Sequence, residues 1–256
     1  MVPNLLAAPL LVVDIGNTSI KWGVSNIDGS VDSINRSRSI DETLLRLHEM
    51  PDRPGYLAVA RSGNPEHVHR ILDFASTVGM KSCLVAARLP AHIPSRYSPG
   101  EAGTDRIANV IAALKLFRPP IIVVDAGSAI TTEVIGPRGD FLGGSIMPGF
   151  PLLAQSLHKG TIDLPEVQIA TTPCFIGTDT NAAMQAGIYA AGIGAVRFMI
   201  EETRKELQIS DAQLIITGGD AEILVQALEQ FHAQLVPDLT LCGIALLARE
   251  QFASLD

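Results

Sequence analysis

The chain has 256 residues, of which 47% are hydrophobic and 18% charged, and its formal net charge is −8. This length allows one or two domains with a large core, and the apolar, glycine-rich composition is typical of a compact α/β protein rather than a disordered chain. The excess of acidic residues disfavours nonspecific binding to nucleic acid, which depends on Lys and Arg, so we expect no nucleic-acid partner.

The cysteines and the N-terminal segment indicate where in the cell the protein is located. Cys83, Cys174 and Cys242 are far apart and lack zinc-site spacing, so we expect buried, reduced thiols in a cytoplasmic protein. The apolar segment 5–13 has no basic region before it and runs directly into Asp14, which favours a short leader and a strand over a signal peptide. No apolar run approaches the roughly 20 residues that span a bilayer, so we expect no membrane partner.

The first half alternates between strand and helix patterns. Strands are predicted at 10–14, 19–25, 56–60 and 82–86, and helices at 41–50, 65–78 and 106–117. The sequence Asn-Ile-Asp-Gly at 26–29 is typical of a hairpin turn. Residues 88–103 contain several prolines and predict a loop that leads into the third helix. Pro119 and Pro120 then interrupt the chain, so we place a domain boundary between 118 and 119.

The second half repeats this pattern. Strands are predicted at 121–125, 129–135, 140–146 and 213–217, helices at 180–207, 221–231 and 241–252, and a loop at 160–177. Strands followed by a helix, then a further strand and helix, are typical of a ribonuclease-H-like domain. The sequence therefore predicts an α/β protein with two tandem ribonuclease-H-like domains, 1–118 and 119–256. Each domain should contain a mixed five-stranded sheet flanked by helices.

An apolar run that ends in Asp, followed by Gly and a small polar residue, occurs twice. The two stretches are Asp14-Ile15-Gly16-Asn17-Thr18 and Asp125-Ala126-Gly127-Ser128. Glycine lets backbone N–H groups approach phosphate oxygens, the hydroxyl adds a donor, and a carboxylate at a strand end can hold Mg²⁺ through water. Either stretch alone is more often an ordinary β-turn, but two in matched contexts predict a phosphate site.

Two further motifs have both a structural and a functional interpretation. Thr217-Gly218-Gly219 could permit close approach of an adenine or ribose, or simply form a strand-to-helix turn capped by Asp220. In Gly103-Thr104-Asp105-Arg106, Asp105 could cap a helix or act as a general base, and Arg106 could bind a carboxylate. Together, Asp105 and Arg106 suit a substrate that carries an alcohol and an acid.

As an ordered set, these motifs resemble the type III pantothenate kinases of the acetate and sugar kinase/Hsp70/actin superfamily, across nearly the whole chain. The matching stretches are 14–18, 97–106, 125–129, 143–149, 177–187 and 217–220. The Gly-Thr-Asp-Arg and Gly-Gly-Ser-Ile-Met-Pro-Gly elements distinguish this family from other actin-fold kinases. The resemblance implies an actin-like ATPase fold and ATP-dependent phosphorylation of pantothenate to 4′-phosphopantothenate, the first step of coenzyme A biosynthesis.

The resemblance also implies roles for individual residues. ATP would be bound by Asp14, Ile15, Gly16, Asn17, Thr18, Ser19, Ile20, Lys21, Ser128, Gly218 and Gly219. Pantothenate would be bound by Tyr97, Gly103, Thr104, Asp105, Arg106 and Thr180, with Asp105 as the general base. Asp14 would hold Mg²⁺ through water, and Asp125 a monovalent cation, K⁺ or NH₄⁺. The family is dimeric with its substrate pocket near the subunit interface, so a homodimer is expected.

Two alternatives remain open from the sequence. One is a different enzyme on the same scaffold, such as a sugar kinase or an exopolyphosphatase. The other is a non-catalytic actin-fold regulator of the Bvg accessory factor type. The presence of Asp14, Asp105, Arg106 and Asp125 favours an enzyme, because a binding module does not need this set. The kinase interpretation requires the carboxylates of residues 14, 105 and 125 to converge in one cleft between two lobes.

Overall fold

A computed structural model describes residues 7–98, 100–169 and 174–254. Pro99, the start of the short leader and part of the predicted loop at 160–177 therefore lie outside the described residues. The chain forms two compact units. The first comprises the residues up to Leu116 together with those from Asp238 onward, and the second comprises Phe117–Pro237.

Every predicted strand and helix has a counterpart in the structure, which also contains three elements that were not predicted, Val31–Ser37, Phe150–Gly160 and Gln234–Leu235. The strands are β1 Leu10–Ile15, β2 Ile20–Ser25, β3 Val31–Ser37, β4 Tyr56–Arg61, β5 Lys81–Leu84, β6 Ile121–Ala126, β7 Ala129–Ile135, β8 Phe141–Gly143, β9 Ile146–Pro148, β10 Gln213–Thr217 and β11 Gln234–Leu235. The helices are α1 Ile40–His48, α2 Pro65–Thr77, α3 Thr104–Leu116, α4 Phe150–Gly160, α5 Thr180–Leu207, α6 Ala221–Ala227 and α7 Leu239–Ala253.

The sheet of the first unit has the order β3-β2-β1-β4-β5. The central strand β1 pairs antiparallel with β2 and parallel with β4. Alternate residues of β1, Leu11, Val13 and Ile15, join the core that α1 and α2 cover, with Leu47 and Phe74 among its buried side chains. Helices α3 and α7 contact each other and the sheet. Since β1 is buried along its whole length, these two helices cover its other face.

The sheet of the second unit repeats this order as β11-β10-β6-β7-β8, with β9 also paired to β7. The predicted strand at 140–146 is divided into two short strands, β8 and β9, so this sheet has six strands rather than the five that were predicted. Strand β6 pairs with one edge of β7 along residues 130–135 of β7. Strands β8 and β9 both pair with the opposite edge of β7. The division falls at Gly143 and Gly144, whose φ angles of 122° and 158° interrupt the extended backbone. The core of this unit lies on the sheet face that α4, α5 and α6 cover.

The C-terminal helix does not belong to the domain in which the sequence placed it. The predicted domains were 1–118 and 119–256, whereas residues from Asp238 onward, which include α7, pack in the first unit. Gly243 of α7 lies against the backbone of α3, so closely that an added Cβ would be 1.9 Å from the Ala108 carbonyl oxygen. Helix α7 is buried on most sides, which explains why its apolar residues show no single stripe.

Three other local predictions change. Helix α4 was not predicted, because Pro148, Gly149 and Pro151 resemble a loop; Pro151 in fact lies in the first turn, where a missing N–H costs nothing. Helix α3 begins at Thr104, two residues earlier than predicted. The predicted helix 221–231 ends at Ala227 and is followed by a short 3₁₀ helix, Glu229–Phe231.

The cysteines are free, and two of the three are buried as expected. Burial raises the pKa of the Cys83 thiol to about 12. Burial, together with the neighbouring Asp238 carboxylate, raises the pKa of the Cys242 thiol to about 12. Both thiols are therefore protonated and unreactive at neutral pH. Cys174 is exposed, so the prediction of a buried thiol is wrong at that position.

Helix α5 is the one helix among the described residues that is long and apolar enough to cross a membrane. Core helices of globular proteins often meet the same test, and Met184, Ile188, Val196 and Ile200 of this helix lie in the core of the second unit. This composition is therefore weak evidence for a membrane span. The expectation of no membrane partner stays a prediction.

Substitution of Gly243 by Ala tests the packing of α7 on α3. The added methyl group meets backbone atoms of Ala108, which cannot rotate away, so we expect Gly243→Ala to lower the free energy of unfolding by about 3 kcal/mol or more. Urea unfolding of the purified variant measures this change. Gly55→Ala is the control, because a Cβ added there would have no atom within 4 Å and a change of at most about 0.5 kcal/mol is expected. Equal stability of the two variants would contradict the packing.

Candidate nucleotide and substrate site

Asp14 lies near the end of β1, on the sheet face that α3 and α7 cover. Leu11, Val13 and Ile15 point into the opposite core, so the alternation of the strand directs Asp14 to the other side. Its side chain is only 8% exposed. A carboxylate at the end of a buried central strand is well placed to hold a cation at the carboxyl end of that strand.

The turn that follows Asp14 is held by its own backbone and by the segment after β4. Gly16 N donates to Ser19 O at 3.1 Å, and Ser62 N donates to Ile15 O at 2.9 Å. A Cβ on Gly63 would lie 2.4 Å from Gly16 O, so only glycine permits this approach. The 61–63 segment therefore supports the turn, a role that the sequence did not reveal.

The predicted ATP residues around this turn differ in accessibility. Asn17 and Thr18 are exposed at the tip of the turn. Ile15 and Ile20 have core side chains, 0% and 2% exposed, so only their backbone could contact a ligand. Lys21 is the cross-strand neighbour of Asp14 in the β1–β2 register. The part of the turn that can meet phosphate is thus its polar tip.

A second group in the first unit lies at the start of α3. Arg106 is 4% exposed, and its Nη1 donates to the Tyr97 hydroxyl at 2.8 Å. The guanidinium carbon also lies 5.2 Å from the centroid of the Tyr97 ring. The loop residue Tyr97 therefore fixes the orientation of a buried cation next to Asp105. The structure brings together Tyr97 and Arg106 as the sequence predicted.

The Asp105 carboxylate is held by the backbone of its own motif. Its Oδ1 accepts from the Arg106 backbone N–H at 2.8 Å. A Cβ on Gly103 would lie 2.6 Å from the same oxygen. Gly103 therefore leaves room for the carboxylate, which gives a structural reason for the Gly-x-Asp-Arg spacing. Thr104, which begins α3, is buried.

A cavity of about 290 Å³ adjoins this group in the first unit. Tyr97 and Ile107 form part of its lining, together with Arg88 and the apolar residues Leu89 and Ile93. The cavity combines an aromatic ring, aliphatic walls and a few polar groups, the usual character of a small-molecule site.

In the second unit, Asp125 occupies the place in β6 that Asp14 has in β1. It is partly exposed, and it points away from the core face that contains Val124 and Ala126. The turn after it is closed by Gly127 N donating to Ala129 O at 3.0 Å. Gly149 N, at the start of α4, donates to Ser128 O at 2.9 Å. Ser128 is thus fixed between two loops.

The turn after β10 approaches the same place. Gly218 has a φ of 101°, and a Cβ there would lie 2.4 Å from Ala126 O, so both its conformation and its surroundings require glycine. Asp220 N donates to the same carbonyl at 2.9 Å. The structure therefore brings together Asp125, Ser128, Gly218 and the exposed Gly219 at the carboxyl end of the second sheet. Thr180 is exposed in the first turn of α5.

Thr217 is a candidate that the sequence analysis did not select. It is 1% exposed, and its hydroxyl has no hydrogen-bond partner among the described residues. Its position directly before Gly218-Gly219 was the available signal.

Asp14 and Asp105 lie in the first unit and Asp125 in the second. Their expected convergence, and the predicted roles of the site residues, stay predictions.

The repeated sheet, with an aspartate near the end of each central strand, defines a protein of the actin-like ATPase fold. Solved structures agree. A Campylobacter jejuni protein described as a Baf family transcriptional activator has a TM-score of 0.60 at 22% identity, with coverage of 94% of this chain and 98% of that one. The activator of the 2-hydroxyisocaproyl-CoA dehydratase from Clostridium difficile, solved with ADPNP, has a TM-score of 0.55 at 12% identity, covering 96% of each chain. At these identities the likeness concerns the fold alone.

Sequence comparison identifies the family. The model of the type III pantothenate kinases matches residues 10–202, and this chain belongs to that family. The type III pantothenate kinase of Gluconobacter oxydans is 33% identical over 251 residues, covering 93% of this chain and 92% of its own. That of Agathobacter rectalis is 30% identical over 254 residues, covering 94% and 97%. The match spans both units, so it concerns the whole catalytic scaffold.

Proposed function

We propose that the protein phosphorylates pantothenate with ATP to give 4′-phosphopantothenate, the first step of coenzyme A biosynthesis. Membership of the type III pantothenate kinase family carries this proposal. The Gly103–Arg106 group supports it, because it places a carboxylate and a buried guanidinium at the start of one helix beside a cavity. These groups suit a substrate with a primary alcohol and a carboxylate.

Asp105 is the proposed general base. Its carboxylate takes the proton of the primary alcohol as the alcohol oxygen attacks the γ-phosphorus of ATP. The bond between that phosphorus and the β,γ-bridging oxygen breaks, and ADP leaves with the electron pair. The hydrogen bond from Arg106 N holds one carboxylate oxygen in place, so the other remains to receive the proton. Phosphoryl transfer depends mainly on such positioning and on charge neutralisation.

The phosphates of ATP would meet the turns after β1 and β6. Asn17 and Thr18 offer exposed polar groups, and Ser128 offers a hydroxyl on a backbone that Gly149 N–H holds in place. The approach at Gly218 leaves space that a side chain would fill, which suits the nucleoside. Asp14 would hold Mg²⁺ through water, and its buried position at a strand end fits this role. Bound Mg²⁺ would neutralise phosphate charge.

Pantothenate would occupy the cavity beside α3. The Tyr97 ring and the Ile107 side chain line it, and Arg106 adds positive charge next to Tyr97. Thr180 is assigned to substrate binding by the family resemblance. Because the Arg106 guanidinium is buried and already oriented by Tyr97, it can attract an acid without first losing rotamer freedom.

Asp125 is the proposed ligand of a monovalent cation, K⁺ or NH₄⁺. Its carboxylate lies beside the Ser128 turn, where a cation can offset phosphate charge. We also assign the enzyme to the cytoplasm. Three free cysteines support this location, since extracellular proteins of this size usually pair their thiols.

Asp105→Asn tests the base and the activity together. Purified protein is assayed for ADP release with ATP, Mg²⁺ and K⁺, with and without pantothenate. We expect release to require pantothenate in the wild type and to fall by about 100-fold or more in Asp105→Asn, because the amide cannot accept the proton. ATP binding, followed with a fluorescent analogue, should be unchanged. A variant with the wild-type kcat would remove Asp105 from this role.

Gly103→Ala tests whether the position of the carboxylate matters, with Asp105 left in place. The added methyl group would displace Asp105 Oδ1, so we expect kcat to fall roughly 10- to 100-fold. The thermal midpoint should change little, since a side chain rather than backbone has to move. Gly55→Ala serves as the matched control and should retain full activity. Unchanged kcat in Gly103→Ala would show that the contact is unimportant.

The protein is also proposed to be a homodimer through the second unit. The outward face of α5 carries Gly187, Ala191, Gly194 and Phe198, which are all exposed and recur at helical spacing. Phe198 is 61% exposed, and Leu152 of α4 and Ile146 of β9 are 41% and 67% exposed. Exposed apolar side chains of this size support an interface between copies, and the small residues allow close approach of two helices.

Phe198→Glu is expected to shift the protein from dimer to monomer, because it places a charge where the apolar contact would form. Light scattering coupled to gel filtration measures the mass. Lys205→Glu, on the same helix and 77% exposed, is the control and should stay dimeric. A monomeric wild type, or a Phe198→Glu variant that remains dimeric, would argue against this interface.

The alternatives give different results in the same assay. A sugar kinase would release ADP with sugars rather than pantothenate, and an exopolyphosphatase would release phosphate without an acceptor. A regulator would bind ATP without turnover. The likeness to the Campylobacter protein does not favour a regulator, since at 22% identity it concerns the fold alone.

A further inference from the structure

Three oxygen-bearing side chains form a row across the second sheet. Asp125 of β6 is in register with Thr131 of β7 on one side and with Thr217 of β10 on the other. Residues directly opposite on neighbouring strands point to the same face, and the strands are about 4.8 Å apart. Two hydroxyls therefore flank the Asp125 carboxylate at the spacing of adjacent strands.

Thr217 is the unusual member of this row. Its hydroxyl is buried, and no described residue donates to it or accepts from it. A buried polar group of this kind costs free energy unless a bound ion or water satisfies it. Because the register places Thr217 beside Asp125, a cation held by the carboxylate is within reach of this oxygen.

The first unit differs at the equivalent positions. There Asp14 is in register with Lys21 of β2 and Ala60 of β4, which offer an ammonium group and a methyl group. Asp125 instead has two hydroxyl neighbours. The two aspartates share their place in the repeated sheet, yet only the second lies in a row of oxygen ligands. This difference explains why a cation would be bound directly at Asp125 rather than at Asp14.

We infer that Thr217 and Thr131 are hydroxyl ligands of the monovalent cation at Asp125, and that they favour it over Mg²⁺. The inference rests on the cation proposed for Asp125 and names further residues that bind it. Neutral protein oxygens replace the hydration shell of a weakly hydrated ion such as K⁺. Mg²⁺ keeps several waters and requires near-octahedral geometry, so a row with one carboxylate suits it poorly.

The test measures cation binding by thermal unfolding, without turnover. The wild type and Thr217→Val are titrated with K⁺ against tetramethylammonium at constant ionic strength, with and without MgADP. A ligand that binds only the folded state raises the midpoint. We expect Thr217→Val to need roughly tenfold more K⁺ for the same rise, because it loses one ligand oxygen. Without K⁺ it should be as stable as the wild type or more so, since its hydroxyl has no partner to lose.

Two further variants complete the test. Thr217→Ser keeps the hydroxyl and should titrate like the wild type, whereas Asp125→Asn should lose the K⁺ response. The inference is overturned if Thr217→Val responds to K⁺ like the wild type, or if the wild type does not respond in either condition. It is also overturned if Thr217→Val is less stable than the wild type by the same amount with and without K⁺. That result would indicate that the hydroxyl stabilises the fold rather than binding the cation. Pantothenate-dependent ADP release is measured separately, so failure here leaves the kinase proposal standing.

Discussion

The central strand of each unit is buried on both sides, and this constraint determines where charged side chains can be placed. In β1 and β6, apolar residues fill every position until the strand approaches its end, where an aspartate follows. A carboxylate is tolerated there because the turn beyond it leaves the core. The position of each aspartate is thus fixed by the sheet, and the turn after it carries the polar groups that suit phosphate.

The two units place different side chains around corresponding aspartates. Their sheets share strand order and direction, so corresponding positions can be compared residue by residue. Lys21 and Ala60 surround the first aspartate, while Thr131 and Thr217 surround the second. Different glycines pack against the two turns that follow these aspartates. Gly63 lies against the turn after β1, and Gly218 lies against the turn after β6. The proposed phosphate site at Asp14 and the proposed cation site at Asp125 rest on this difference between side chains in corresponding rows.

Much of the fold could be predicted from the sequence, because the strands are long apolar runs and the glycine turns are well marked. Strands β7 and β10 and helix α5 have the predicted bounds. The assignment of α7 to the second domain was wrong, since its packing depends on Gly243 meeting Ala108, a contact between distant parts of the sequence. The missing α4 and the divided strand at Gly143 arise because proline and glycine mark helix starts and strand breaks as well as loops.

In the candidate site too, the sequence predicts which residue types are present but not the contacts between them. The motif at 103–106 identifies the residue types, but the reason for its spacing is a contact between Gly103 and the Asp105 carboxylate. Asp105 is then fixed by the backbone amide of Arg106, and the Arg106 side chain by Tyr97 of the loop that precedes α3. Each residue restrains the next, so the proposed base Asp105 and the Arg106 guanidinium are held in place before any substrate arrives. Such preorganisation is what phosphoryl transfer needs from a protein, because little of the barrier can be lowered by covalent chemistry.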